Sequence, residues 1–165
     1  DWMVATGAPA SSNRAEKETG HYIQSIFSVG KFKEFAMKNV PVKFKGGEED
    51  LVPMAATDSK KGHNAKLGDG WEIIMRIPKK HNGSVIVSLY MTQWNNDFDI
   101  AVTMPDGKEI IKLSVPKQDP GVVKIPMEIP KPKPGGFYSI KITASSSDPK
   151  KGYSMGINAV LVESR

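Results

Sequence analysis

The sequence predicts an all-β protein folded as an antiparallel β-sandwich. Three observations carry that prediction. Short runs rich in Ile and Val recur at even intervals from Trp71 onward, and such residues suit a pleated, half-buried surface. Several runs alternate apolar and polar residues, the period-2 pattern of a strand with one buried face. Turn formers separate the runs, drawn from 15 Gly, 12 Pro and many Asn and Asp, and helical periodicity is nearly absent from this half.

Taken in order, residues 1–20 are small, polar and aperiodic, with Trp2, Met3 and Val4 as their apolar cluster. They read as a flexible arm or linker that docks at its front end. Tyr22–Val29 is the first strand, closed by Gly30. Lys31–Asn39 places Phe32, Phe35 and Ala36 at i, i+3 and i+4, the spacing of one or two helical turns. Val40–Phe44 reads as an edge strand, since Pro41 lacks a donor. Residues 46–70 are turn formers, long enough to serve a function.

Trp71–Ile77 and Ser84–Met91 flank Asn82-Gly83, a strong local signal for a hairpin. Asp97–Thr103 and Lys108–Ser114 flank Met-Pro-Asp-Gly, a second turn. Gly121–Ile129 follows, then the breaker PKPKPGG at 130–136, Phe137–Thr143, a loop at Ser145–Gly152 and a last strand at Tyr153–Val162. Val85, Val87 and Leu89 share one face, opposite Ser84, Ile86, Ser88 and Tyr90. Phe98, Ile100 and Val102 likewise oppose Asp97, Asp99, Ala101 and Thr103, and Tyr138, Ile140 and Ile142 oppose Phe137, Ser139, Lys141 and Thr143.

A length of 165 residues with 39% hydrophobic content suits one domain, here 21–165 behind the arm and best supported over 67–162. The hydrophobic share argues against global disorder. No apolar run approaches the roughly 18–20 residues that cross a bilayer as a helix. Without cysteine there is neither a disulfide framework nor a thiolate metal site. The net charge is +5, from 23 Lys and Arg against 18 Asp and Glu. The excess is mostly Lys and spread along the chain, from Lys31 to Lys151, which reads as a solvated surface rather than a nucleic-acid site. The chain opens at Asp1 with no visible signal peptide, which leaves export open.

LGDGWEIIMRI, NGSVIVSLYM, DFDIAVTMPDGKEI, PGGFYSIKIT and the closing YSMGINAVLV, in that order, resemble the bacterial pre-peptidase C-terminal domain. Its stations fall at Asp69–Trp71, Gly83, Asp97–Asp99, Pro105–Gly107, Pro134–Ile140 and Tyr153, over about residues 67–162. The resemblance implies a jelly-roll-like domain, secreted or carried on surface proteins. It also implies an accessory role in adhesion, secretion or substrate targeting, with no catalytic residues of its own, and makes Tyr138 and Tyr153 structural.

Trp94 lies in Met-Thr-Gln-Trp-Asn-Asn, between two strands and among amides. Such a Trp can stack on a sugar ring or a protein partner while Gln93, Asn95 and Asn96 hydrogen-bond; the alternative is a cap on the core. Tyr90 is either exposed near that loop or packed beside Ile86 in a second layer. Asn95, Asn96, Asp97 and Asp99 make an oxygen-rich strand entrance, with both carboxylates on one side and in reach of one calcium ion, whose shell takes roughly six to eight oxygens. The alternative is an Asn-Asn turn before a solvated strand face. Glu48-Glu49-Asp50 is a second acidic cluster. His21, His63 and His81 share no metal-ligand spacing, and His81 is accounted for as a turn residue. There is no G-x-S-x-G elbow and no phosphate loop, so the chain reads as a non-enzyme.

The leading expectation is a secreted, cell-surface or periplasmic binding module for a polysaccharide or extracellular protein polymer. Its contact surface would join Gln93–Asp97 with Glu48–Asp50 and Lys131–Gly136 at one end of the sandwich. The second expectation is a structural subunit of a surface assembly, in which the 1–20 arm and the Val40–Phe44 edge pair with a neighbour by strand addition.

Overall fold

The computed structural model describes residues 2–4, 22–30, 40–44, 47–51, 56–58, 67–117, 121–147 and 154–165. Every regular element among them is a strand. One five-stranded sheet runs β1 (Trp2–Val4), β12 (Ser154–Ser164), β7 (Val85–Trp94), β10 (Gly121–Ile129), with β5 (Ala56–Asp58) also on β12. The other runs β2 (Ile23–Val29), β6 (Gly70–Arg76), β11 (Phe137–Ser147), β8 (Asn96–Thr103), β9 (Glu109–Val115). β3 (Val40–Phe44) and β4 (Gly47–Leu51) form a separate pair. All pairings are antiparallel.

The two large sheets bury their facing sides against each other. Trp71, Ile73 and Met75 of β6, Tyr138, Ile140 and Ile142 of β11, and Phe98, Ile100 and Val102 of β8 meet Val85, Val87, Leu89 and Met91 of β7 and Met155, Ile157, Val160 and Val162 of β12. At about 1.5–3 kcal/mol for each large side chain removed from water, this layer is the main source of stability. β8 alternates buried and half-buried residues along its whole length, as its sequence predicts. β7 departs from the expectation of one buried face: Ser88, Tyr90 and Thr92, on the side away from the core, are buried too. It lies inside its sheet, with β12 and β10 as neighbours.

Two expectations are corrected. Asn82-Gly83 does not close a hairpin, because β6 and β7 lie in different sheets. The connection instead carries the chain across the sandwich, and Ser84 exchanges both backbone hydrogen bonds with Arg165, at 3.0 Å each. Gly83 has φ 107 there, and a Cβ on it would sit 1.9 Å from the Arg165 carbonyl oxygen. The segment 46–70, read as turns, contains β4 and β5, which form because β3 and β12 offer them partners. The Met-Pro-Asp-Gly turn, by contrast, does join a hairpin of β8 and β9; Gly107 N–H donates to Met104 O, and Asp106 Oδ1 accepts from Lys108 N–H.

The front of the arm docks as expected, through β1 on β12. The helical turns expected at 31–39 lie outside the described residues, as do His21, His63, Tyr153 and the rest of the arm. His81 is half-buried, with its Nδ1 3.0 Å from the Tyr22 hydroxyl.

Candidate functional site

β7 ends at Trp94 and β8 begins at Asn96, so one residue, Asn95, takes the chain from one sheet to the other. Asn95 adopts φ 54, in the left-handed region that Asn tolerates better than most residues. Gln93, fully buried, braces this corner: its Nε2 donates to Asn96 O and Pro116 O, both at 3.0 Å. Asn96 is fully buried as well, and its Nδ2 donates to Asp97 O at 3.2 Å.

Asp97 ties three strand ends together. One carboxylate oxygen accepts the Lys117 backbone N–H at 2.7 Å, after β9, and the other accepts the Ser146 hydroxyl, near the end of β11. The Ser146 hydroxyl and then the Lys117 N–H hold its carboxyl below the ordinary value of 3.8, against an opposing effect of burial. Asp99 lies two residues along on the same outer face, and its Oδ1 accepts the Ser114 hydroxyl at 2.7 Å.

Buried polar side chains gather here. Of those among the described residues (Ser88, Thr92, Gln93, Asn96 and Asn158), Gln93 and Asn96 sit at the corner itself, while Thr92 and Asn158 pair on the outer side of the sheet, level with Met91 and Tyr90. Asn158 sits in a β-bulge of β12, where its Oδ1 accepts from Thr92 Oγ1 at 2.7 Å. Gln93 Oε1, Asn96 Oδ1 and Asn158 Nδ2 are buried and have no hydrogen-bond partner. Each such group costs about 1–3 kcal/mol against its hydrated state. Bulges and unsatisfied polar groups both concentrate at functional sites.

The structure thus brings Gln93, Trp94, Asn95, Asn96 and Asp97 together and separates them by role. Gln93, Asn96 and Asp97 form the frame, while the backbone of Trp94 and Asn95 lies at the turn itself. Tyr90 is buried on the far side of β7, with the Lys124 ammonium 5.7 Å from its ring centroid. Among the described residues no three His, Asp or Glu gather closely enough to hold a metal ion. Ser146 and Lys117 are the contributors that the sequence hid, because the registers of β11 and β9 on β8 bring them in from far along the chain.

The contact surface expected from three segments is corrected as well. Gly121 pairs with Gln93 while Ile129 pairs with Val85, so the 130–136 loop sits at the opposite end of β7 from Trp94. At about 3.3 Å per residue, the ten residues of β7 put the two ends about 30 Å apart. Glu48–Asp50 belongs to β4, in the separate pair.

No family model matches the chain, and no curated protein matches it in sequence. Among solved structures it is similar to a family 35 carbohydrate-binding module from an environmental isolate, with 16% identity, a TM-score of 0.45, and 86% of this chain and 94% of that one covered. It is similar to a carbohydrate-binding module from Cellvibrio mixtus lichenase 5A in complex with cellotriose, with 10% identity, a TM-score of 0.40, and 87% and 98% covered. An adhesin domain of Lys-gingipain from Porphyromonas gingivalis shares 4% identity at a TM-score of 0.42, covering 68% and 74%. None of the three shares enough sequence for a ligand contact to be carried over residue by residue.

Proposed function

We propose that this chain is a non-catalytic, exported binding module that engages a polysaccharide or extracellular protein polymer through the Gln93–Asp97 corner. One observation carries the reading: two fully buried amides, Gln93 and Asn96, each keeping an oxygen without a partner, brace a one-residue turn that bears Trp94 and Asn95. A rigidly held turn loses little ordering entropy on binding. Trp94 is the stacking group in this reading and Asn95 the hydrogen-bonding one, with Gln93, Asn96 and Asp97 holding them in place. The resemblance to the pre-peptidase C-terminal domain supports an accessory module of a secreted or surface protein. Calcium belongs to the proposal as a ligand of Asp97 and Asp99, whose carboxylates share the outer face of β8.

The test is retention of the purified chain on chitin, cellulose, peptidoglycan and fibrous collagen, with and without calcium. Retention on one polymer, lost in Trp94→Ala, is the expected result. Retention that Trp94→Ala leaves intact moves the site elsewhere, and no retention on any polymer rejects the reading.

A second reading, a subunit of a surface assembly, draws on the pairing of β1 with β12. Made between two chains, the same three-residue pairing would join copies. Oligomers that grow with concentration and vanish on removal of residues 1–20 would favour it.

A further inference from the structure

Lysines that are scattered along the sequence converge at the end of the sandwich away from Trp94. Loops 77–84, 104–108 and 130–136 meet there. Gly135 N–H donates to Ile77 O at 2.8 Å, and Ile77 N–H donates to Gly136 O at 2.9 Å. A Cβ on Gly136 would lie 3.0 Å from Pro105 Cγ, and one on Gly135 would lie 3.7 Å from Lys79 Cγ. Lys79, Lys80, Lys131 and Lys133 are exposed on these loops. Asp106 and Glu109 lie on or beside these loops, and the exposed Glu128 and Glu163 stand opposite Ile86 at the same end. Among the described residues no carboxylate pairs with any of the four lysines.

The 130–136 loop is held rigid. Lys131 adopts φ 44, a left-handed conformation that is costly for a lysine and persists only where surrounding contacts impose it. Pro132 is buried beside it. The buried Tyr138 hydroxyl accepts the Lys133 N–H at 2.8 Å, and Lys133 O accepts the Gly136 N–H at 3.0 Å. At the rim stands Phe137, 50% exposed, with the Arg76 guanidinium 5.4 Å from its ring centroid.

We propose that this end is a second binding surface, separate from the Trp94 corner, and that it takes an acidic polysaccharide. Lys79, Lys80, Lys131 and Lys133 pair with carboxylate or sulfate groups, and Phe137 with Arg76 receives a sugar ring. A cluster of ammonium groups with no carboxylate partner among the described residues concentrates a polyanion by its field. Single-stranded nucleic acid is bound on several stacking aromatics, whereas among the described residues of this end Phe137 is the one largely exposed aromatic. Membrane docking calls for apolar residues that enter the lipid, whereas these loops present Lys, Pro and Gly.

The test is affinity of the full chain for heparin and polygalacturonate, with neutral dextran, phosphatidylglycerol vesicles and duplex DNA alongside. Salt-sensitive binding to both acidic polysaccharides and none to dextran is expected. Changing Lys79, Lys80, Lys131 and Lys133 together to Gln weakens it on the order of 100-fold, as four modest surface ion pairs would. Changing Lys112, Lys124 and Lys141 to Gln, on the strands, leaves it within about threefold, and Trp94→Ala leaves it unchanged. Equal losses in the two lysine sets would mean net charge alone acts, and would overturn the proposal. So would a loss in Trp94→Ala, no binding to either polysaccharide, or tighter binding to vesicles or DNA.

Discussion

Replacing Asp97 with Ala removes the group that ties β8, the segment after β9 and β11 together at the corner. Two hydrogen bonds to an ionised carboxylate are lost, from the Lys117 N–H and the Ser146 hydroxyl. Buried charge-assisted bonds are worth about 1.5–3 kcal/mol each. Both Asp97 bonds lie at the surface, so water recovers most of that, and about 1 kcal/mol in all is the expected loss at pH 7. For a chain of this length that lowers Tm by about 2–4 °C.

The sign of the pH dependence follows from the direction of the pKa shift. Asp97 titrates lower in the folded chain than its ordinary 3.8. Its contribution is therefore fully present above that value and is lost as pH falls through the folded pKa. Thermal or urea melts of wild type and Asp97→Ala, from pH 7 down to about pH 2, should show a gap that is widest at neutral pH and closes below about pH 4. A variant as stable as wild type at pH 7 would refute the bracing role. A gap that persists unchanged into strong acid would show that it does not come from the carboxylate.

Three further outcomes follow from the packing. Gly83→Ala combines a positive φ with a Cβ 1.9 Å from Arg165 O. It should cost about 3 kcal/mol or more in urea unfolding and break the Ser84–Arg165 pairing. Ile100→Ala, at the centre of the core face of β8, should cost about 2–5 kcal/mol. Lys131→Gly relieves φ 44 and should raise stability by about 0.5–1 kcal/mol, while weakening heparin binding because one ammonium is gone.

The strands were legible because each carries its own signal. Phe98, Ile100 and Val102 alternate with polar neighbours, and that alternation alone selects a buried face. Sheet membership is not local in this way. Asn82-Gly83 looks like a hairpin from its neighbours, yet the partner of Ser84 is Arg165, at the far end of the chain. β5 is three residues in a polar stretch and exists because β12 has an edge to offer.

The candidate site shows the same limit. Gln93 and Asn96 stand out in the sequence as amides beside a tryptophan. Nothing local distinguishes an amide that meets a ligand from one that meets Pro116 O, and the structure shows the latter for Gln93. Ser146 reaches the corner through register, including a shift in β11 that no periodicity announces. The lysines of 79–80 and 131–133 look dispersed along the chain until two loops fold onto the same end.

The most direct test of the central claim is a backbone-amide NMR titration of the labelled chain. Soluble oligomers of whichever polymer retains the protein would be added stepwise. Saturable shifts confined to Gln93–Asp97, Lys117 and Ser146, with little change at Lys131–Phe137, are the expected result. Shifts centred on any other surface, with the corner silent, would contradict it.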